Sequence, residues 1–212
     1  MPPIPETLDL GRWLALWSRL AGTGPGTSVF YDLAQAYAEP ARVYHTAAHI
    51  NDCLTLFDWS HHLASRPDEM EAALWFHDAV YLPGASDNEE RSAQLAEMVL
   101  GSGAVPSAAV QHVAEMILST KHLSIPPEPD TQLLCDIDLS ILGRADSKFD
   151  DFERRIRQEY AWVPEQAYRT ARSSILKTFL QRPAIYQTQP FAERYEAQAR
   201  RNLERLLADF SH

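Results

Sequence analysis

Five residues in three separated segments carry side chains that could bind a divalent metal ion. They are, in chain order, His45 and His49 in YHTAAHI, His77 and Asp78 in ALWFHDAVY, and Asp138 in CDIDLSILG. Imidazole nitrogens and carboxylate oxygens are ligands that hard and borderline divalent metals accept. Because the segments are far apart in sequence, only a folded core could bring these side chains together. The pattern predicts a metal site, and a metal site favours hydrolytic chemistry.

The first two segments are predicted to present these side chains from helices. His45 and His49 are four residues apart and share one face of a helix beginning near Thr46. They could bind one metal ion together, or act as one ligand and one proton donor. His77 and Asp78 follow Leu-Trp-Phe directly, where an ionisable pair is costly to bury unless it is paired or bound to a metal.

The third segment contains two aspartates with different expected environments. Asp136 and Asp138 flank Ile137, and residues two apart point in different directions on a helix. A helical stripe through Leu134 and Leu142 puts Asp138 on the apolar face, where a carboxylate needs a cation. Asp136 is therefore expected to be a cap or a surface residue.

The segments that carry these residues belong to a chain that is predicted to be helical almost throughout. Apolar spacings of three and four predict ten helices, at about 9–20, 28–38, 46–63, 68–81, 87–100, 107–121, 130–142, 147–160, 165–181 and 190–209. Residues 86–89 have the form of a capping box, Pro164 and Pro190 lie where helices would begin, and Gly143 follows a last apolar turn. No useful strand pattern, repeat or linker occurs. The sequence predicts one all-α domain, a helical bundle over residues 1–212.

Composition indicates a globular protein with a large core. The 212 residues are 45% hydrophobic, and no apolar run is long enough to span a membrane. The start of the chain lacks the basic region of a signal peptide, so a cytoplasmic location is expected. Cys53 and Cys135 fall in apolar helical segments and are expected to be buried thiols, with a disulfide as the alternative. Four tryptophans are expected in the core: Trp13, Trp17, Trp59 and Trp162.

The net charge of -10 is unevenly distributed along the chain. Residues 1–143 carry 6 Lys/Arg against 19 Asp/Glu, whereas residues 144–212 carry 13 against 10. An acidic body disfavours duplex nucleic acid, whose binding requires the neutralisation of many phosphates. A small phosphorylated substrate needs only a local cluster of cations, which the C-terminal third could supply. Most of these charges are nevertheless expected to form an ordinary solvated surface.

The ordered set His49, His77-Asp78 and Asp138 resembles the H…HD…D signature of the HD superfamily of metal-dependent phosphohydrolases. The wider sequence, including DNEERSA, STKH, IRQEY and FLQRPAIY, looks like a bacterial branch of predicted metal-dependent HD phosphohydrolases over about residues 30–205. YHTAAH also resembles the YHN-x-x-H element of cyclic-nucleotide phosphodiesterases, with Thr46 in place of the Asn. The long nucleotide-pocket segments of those enzymes are missing.

The resemblance implies metal-assisted hydrolysis of a phosphoester or phosphoanhydride in a small molecule, such as a nucleotide or a related metabolite. It implies a divalent ion on His49, His77, Asp78 and Asp138, with His45 as the general acid. Asp78 or Asp138 could accept the proton of the attacking water. Mixed nitrogen and oxygen ligands suit Mn, Fe, Co, Ni or Zn better than Mg.

Two further pairs of residues have both a functional and a structural interpretation. Glu89 and Glu90 follow the HD pair by about a dozen residues, where some alarmone-type HD hydrolases place an acidic pair that orients water. Since Glu89 also fits the capping box, Glu90 is the expected catalytic residue. Lys121 and His122 close a helix, where cations are favoured by the helix dipole, and they could bind phosphate or a second metal.

Two arginines could bind the phosphate of a substrate. Arg157 and Arg172 lie on helical stripes, and a guanidinium can act as a bidentate phosphate clamp or as a structural ion pair. Arg172 interrupts the most apolar face and is the stronger candidate for the clamp.

Two other function classes remain open. A di-iron HD oxygenase needs two more histidines, for which His112 and His122 are the candidates, although His112 could simply face solvent. A non-catalytic metal- or nucleotide-binding protein is the other. The sequence selects neither the substrate nor the metal, and a homodimer is one open possibility for the oligomeric state.

Overall fold

The computed structural model describes residues 7–210, and all regular secondary structure in that range is helical. This confirms the predicted all-α class. Ten α-helices and two 3-10 segments occur among the described residues. The α-helices are α1 (Leu10–Arg19), α2 (Gly26–Ala36), α3 (Ala47–Ser60), α4 (Pro67–Phe76), α5 (Asn88–Ser102), α6 (Ser107–Ser119), α7 (Pro129–Asp138), α8 (Asp146–Glu159), α9 (Glu165–Leu180) and α10 (Gln189–Phe210). The 3-10 segments are His61–Leu63 and Leu139–Gly143.

Each predicted helix has an observed counterpart, and the largest displacement of a helix end lies beside the candidate site. The helix predicted over 68–81 ends at Phe76, so His77 and Asp78 lie in the turn that follows α4. The helix predicted over 130–142 changes to 3-10 geometry after Asp138. Pro164 precedes α9, and Pro190 lies in the first turn of α10, as expected.

The predicted capping box at residues 86–89 is wrong. α5 begins at Asn88, and its N-cap, Asp87, makes no side-chain hydrogen bond to the helix. Asn88 instead exchanges two hydrogen bonds with the backbone of Leu82, at 3.0 and 3.1 Å. Glu89 is therefore not the acid of a capping box.

The described chain falls into two compact units, the first ending at Leu134 and the second beginning at Cys135. The boundary lies within α7. The expectation of one domain over residues 1–212 stays a prediction.

In the first unit, α4 is the central helix, with contacts to α1, α3, α5 and α6. Its residues from Met70 to Phe76 are all buried, so this part of the helix presents no face to solvent. Trp13 of α1 packs against the rings of Trp75 and Phe76, at centroid distances of 5.4 and 5.9 Å. A helix buried on every side is held by packing in all directions, and α4 carries the His77-Asp78 turn at its end.

The second unit contains α8, α9 and α10, and its core includes Phe149, Leu176 and Phe191. Asp136 belongs to this interior, which corrects the expectation of a surface residue. It is 1% exposed and accepts hydrogen bonds from the backbone N–H groups of Gln187 and Thr188, at 2.9 and 2.7 Å. Burial raises the pKa of Asp136 to about 6, against the lowering effect of these donors. The carboxyl group fixes the chain just before α10.

The expectations for tryptophan and cysteine are confirmed in part. Trp13 and Trp17 are buried, whereas Trp59 and Trp162 are 41% and 67% exposed, so their assignment to the core was wrong. Cys53 and Cys135 are both buried thiols that form no disulfide. Among the described helices, none has the length and apolar character needed to cross a membrane.

Candidate metal centre

Three donor atoms meet where the first turn of α3 approaches the turn after α4. The Nε2 atoms of His49 and His77 are 3.2 Å apart. Oδ2 of Asp78 lies 3.4 Å from the His49 nitrogen and 3.2 Å from the His77 nitrogen. Both histidines are buried, and the side chain of Asp78 is 19% exposed. Three of the predicted ligands therefore form one compact group within the first unit.

The spacing and chemistry of this group fit a divalent cation. Donors that share one ion at about 2.1 Å, with angles of about 90–110°, lie about 3.0–3.4 Å apart. Nδ1 of His77 lies 3.0 Å from the carbonyl oxygen of Leu74. An Nδ1–H that donates to this carbonyl leaves the Nε2 lone pair directed toward His49 and Asp78. The residues present can therefore hold a metal ion.

The charge of Asp78 supports the same conclusion. Burial alone would raise its pKa, but the nearby imidazoles of His77, His45 and His49 lower it below its ordinary value. The carboxylate therefore stays ionised at neutral pH inside a largely closed site. Such a group attracts a cation.

Cys53, which the sequence motif did not include, also lies beside this group. One donor atom from each of His49, Cys53 and His77 lies within 4.8 Å of the others, so the thiol is among the residues that could hold an ion. Its Sγ is 3.8 Å from both ring nitrogens of His49. Equal distances place the sulfur alongside the imidazole rather than beyond Nε2. The only sequence signal was its position one helical turn after His49.

His45 lies next to the donor group rather than within it. Its half-buried ring stacks on Tyr81 at 4.1 Å and meets the ring of His49 edge-on at 6.0 Å. Thr46 is the N-cap of α3 and accepts a hydrogen bond from the Ala48 N–H, which confirms the predicted helix start. The assignment of His45 as proton donor stays a prediction.

Arg42 is a second residue at the centre that sequence reasoning missed. Its buried guanidinium donates to the carbonyl oxygens of His45, Asp78 and Ala79, at 3.2, 2.6 and 3.0 Å. These partners are backbone atoms, so no pattern of side-chain types identifies them in advance. The contacts connect the segment leading into α3 with the turn after α4.

Comparison with known proteins adds no family to this description. No protein-family model, no curated protein and no solved structure matches the chain. The candidate centre is therefore supported by the residues of this chain alone.

Asp138, the remaining predicted ligand, is the last residue of α7 and is half-buried. It belongs to the second unit. Its place in the coordination shell stays a prediction.

The two acids after the HD turn, Glu89 and Glu90, lie in different environments. Glu90 forms an ion pair with Lys121, whose Nζ also donates to the carbonyl of Ser86 at 2.9 Å. Burial raises the pKa of Glu89; its own backbone N–H and Lys121 lower it, and the Asp78 carboxylate raises it further. Of the two acids, Glu89 is the one that interacts with Asp78, and the catalytic assignment of Glu90 stays a prediction.

Both arginines that were assigned to substrate have partners within the second unit. Arg172 is 13% exposed and pairs with Glu153, with Nε 3.1 Å from Oε2. Arg157 pairs with Glu165 at 2.9 Å and donates to the carbonyl of Tyr160 at 2.6 Å. Both guanidinium groups therefore form structural ion pairs, and the proposal that they clamp a substrate phosphate stays a prediction.

The two histidines considered for a di-iron site lie in different settings. His112 is buried rather than solvent-facing, with Nδ1 2.5 Å from Oε2 of Glu69. Glu69 lies in the first turn of α4 and His77 follows its last turn, a separation of about 12 Å along the helix axis. His112 is thus held away from the donor group. His122 is half-buried beyond the end of α6 and has a positive φ of 55°.

Proposed function

We propose that this protein is a metal-dependent hydrolase of the HD superfamily that cleaves a phosphoester or phosphoanhydride bond in a small molecule. A nucleotide or a related metabolite is the proposed class of substrate. The observation that carries this proposal is the close group of His49 Nε2, His77 Nε2 and Asp78 Oδ2, with separations of 3.2–3.4 Å. Asp138, which completes the sequence signature, is proposed as the fourth ligand.

The side chains around the donor group suit proton transfer during hydrolysis. A divalent ion bound there would lower the pKa of a coordinated water and polarise a phosphoryl oxygen. Asp78 or Asp138 is proposed to accept the proton of the attacking water. His45, held against Tyr81, can carry a proton to the departing oxygen. Glu89, with its raised pKa, is a further acid that can exchange protons beside Asp78.

The donor set also bears on the metal and on the cell compartment. Two imidazoles and a carboxylate suit Mn, Fe, Co, Ni or Zn better than Mg, which prefers a shell of oxygen ligands. We also propose a cytoplasmic location, which suits two cysteines that form no disulfide.

The proposal is tested by metal analysis combined with an activity screen. The purified protein, supplied with Mn²⁺, is incubated with a pool of phosphorylated metabolites, and the products are identified by mass spectrometry. We expect bound metal and hydrolysis that is lost on chelation and in His77→Ala. A matched control is His62→Ala, which removes an exposed histidine from the 3-10 segment after α3 and should leave activity unchanged.

Three other outcomes would contradict the site assignment or support a different function. Full hydrolysis by His77→Ala would contradict the site assignment. Bound metal without turnover of any phosphorylated compound would support a non-catalytic binding protein. Two irons per chain without hydrolysis would support an oxygenase, which the contact of His112 with Glu69 disfavours.

A further inference from the structure

Arg42 lies between α2 and α3, and its side chain is only 1% exposed. Nη1 donates to the carbonyl oxygens of Asp78 and His45, at 2.6 and 3.2 Å, and Nη2 donates to that of Ala79 at 3.0 Å. One guanidinium therefore bonds to backbone on both sides of the donor group. On one side is the segment that leads into α3, and on the other is the turn after α4.

These carbonyls are the main partners of a charge that is expensive to bury. A guanidinium removed from water requires acceptors for its N–H groups. The acidic partner, Glu39, is 3.2 Å from Nε, but its side chain is 52% exposed, so this ion pair contributes little. The Asp78 and Ala79 carbonyls lie beyond the last turn of α4, where helical hydrogen bonding has ended. Arg42 supplies donors to that turn.

Aromatic contacts give Arg42 a second connection to His45. Its guanidinium carbon lies 5.6 Å from the ring centroid of Tyr81 and 5.3 Å from that of Tyr37, both within the range of cation–π attraction. Tyr81 in turn stacks on the imidazole of His45. Arg42 thus donates to the backbone carbonyl oxygen of His45 and also contacts Tyr81, the ring that packs against the His45 imidazole.

We propose that Arg42 is a positioning residue that sets the spacing between the start of α3 and the His77-Asp78 turn, and so presets the donor group for its metal ion. His45 directly precedes Thr46, the N-cap of α3, so fixing the backbone at His45 fixes the entry of the helix that carries His49. Residues that orient metal ligands typically contribute about 10–100-fold to metal affinity. The inference rests on the metal centre of the proposed function, but it does not depend on which bond is hydrolysed.

Co²⁺ binding tests this proposal without any assay of hydrolysis. The visible absorption of bound Co²⁺ reports both occupancy and ligand geometry, and it can be followed in titrations of wild type, Arg42→Gln and Arg42→Lys. We expect Arg42→Gln to bind Co²⁺ about 10–100-fold more weakly, with an altered absorption band. Arg42→Lys should be intermediate, because one ammonium keeps the charge but cannot span both segments as a planar fork does.

Arg12→Gln is the matched control. Arg12 is another partly buried arginine of the first unit, 22% exposed, and pairs with Asp58 and Glu71 at 2.8 and 2.6 Å. This variant should lose stability, measured by thermal unfolding, and keep the wild-type Co²⁺ affinity and spectrum.

The outcomes separate the inference from the proposed function. Wild-type affinity and spectrum in Arg42→Gln would show that Arg42 only stabilises the fold, which overturns the inference and leaves the metal centre intact. If Arg42→Gln does not fold, as judged by near-UV circular dichroism, the result for Arg42→Lys decides, and wild-type binding there overturns the inference. A wild-type protein that binds no Co²⁺ would refute the metal centre and the role of Arg42 together.

Discussion

Replacing Arg172 by methionine should unfold the second unit more easily, rather than only weaken substrate binding. Arg172 and Glu153 are 13% and 9% exposed, and the guanidinium carbon also lies 5.5 Å from the ring centroid of Phe152. At the 3.1 Å separation of Nε and Oε2, an effective dielectric of about 20 gives an attraction of about 5 kcal/mol. Losing one partner leaves a buried, uncompensated charge on the other. We expect Arg172→Met to lower the free energy of unfolding by about 3–5 kcal/mol.

A double-mutant cycle measures this interaction directly. Urea unfolding, followed by circular dichroism, is compared for wild type, Arg172→Met, Glu153→Met and the double variant. Each single variant should be strongly destabilised, and the double variant should recover most of the loss, because two methionines leave no unpaired charge and occupy a similar volume. Glu165→Gln, which alters an exposed ion pair of Arg157, is the control and should cost less than about 1 kcal/mol.

The same variants test the alternative that Arg172 binds phosphate. If Arg172→Met left the free energy of unfolding within about 1 kcal/mol of wild type while KM rose at least tenfold, the structural interpretation would be refuted. The guanidinium would then be a substrate contact, as the sequence suggested. A loss of stability with unchanged KM would remove Arg172 from the binding site.

Two further predictions concern Cys53 and Asp136. Because Sγ of Cys53 lies alongside the His49 ring, Cys53→Ala should keep the wild-type Co²⁺ affinity. The wild-type protein should also lack an intense thiolate-to-Co²⁺ absorption band. A strong band that disappears in the variant would contradict this geometry. Asp136→Ala should lower the free energy of unfolding by about 2–4 kcal/mol, since the N–H groups of Gln187 and Thr188 lose their acceptor. Thr188→Val removes only the hydroxyl donor to the same carboxylate and should cost less, so equal losses in urea unfolding would argue against this explanation.

The helices could be predicted because their apolar faces repeat with a regular period, but the end of α4 could not. The apolar sequence continues through Ala79, Val80 and Tyr81 without a glycine or proline, so periodicity alone extends the helix to residue 81. The helix ends at Phe76, and the carbonyls of Asp78 and Ala79 bond to an arginine more than 30 residues earlier. Such a tertiary contact leaves no local signature in the sequence.

In the candidate site too, some residues could be predicted from the sequence and others could not. His49, His77 and Asp78 could be predicted because their residue types define the chemistry of a ligand. Arg42 could not, because its partners are carbonyl oxygens that every residue carries. The capping motif failed for a related reason: Asn88 has an alternative partner in the backbone of Leu82, and only the fold shows which hydrogen bond wins.

The complete burial of α4 from Met70 to Phe76 also limits how this protein can evolve. A surface helix can exchange residues on its outer side, but every direction around residues Met70 to Phe76 is filled by packed neighbours. A change of even one methylene group at Leu74 or Trp75 must shift the helix or its surroundings. The His77-Asp78 turn directly follows the end of α4, so a shift of the helix would also move the donor atoms of these two residues. Tolerated substitutions in the first unit should therefore be concentrated outside α4, even at positions remote from the metal.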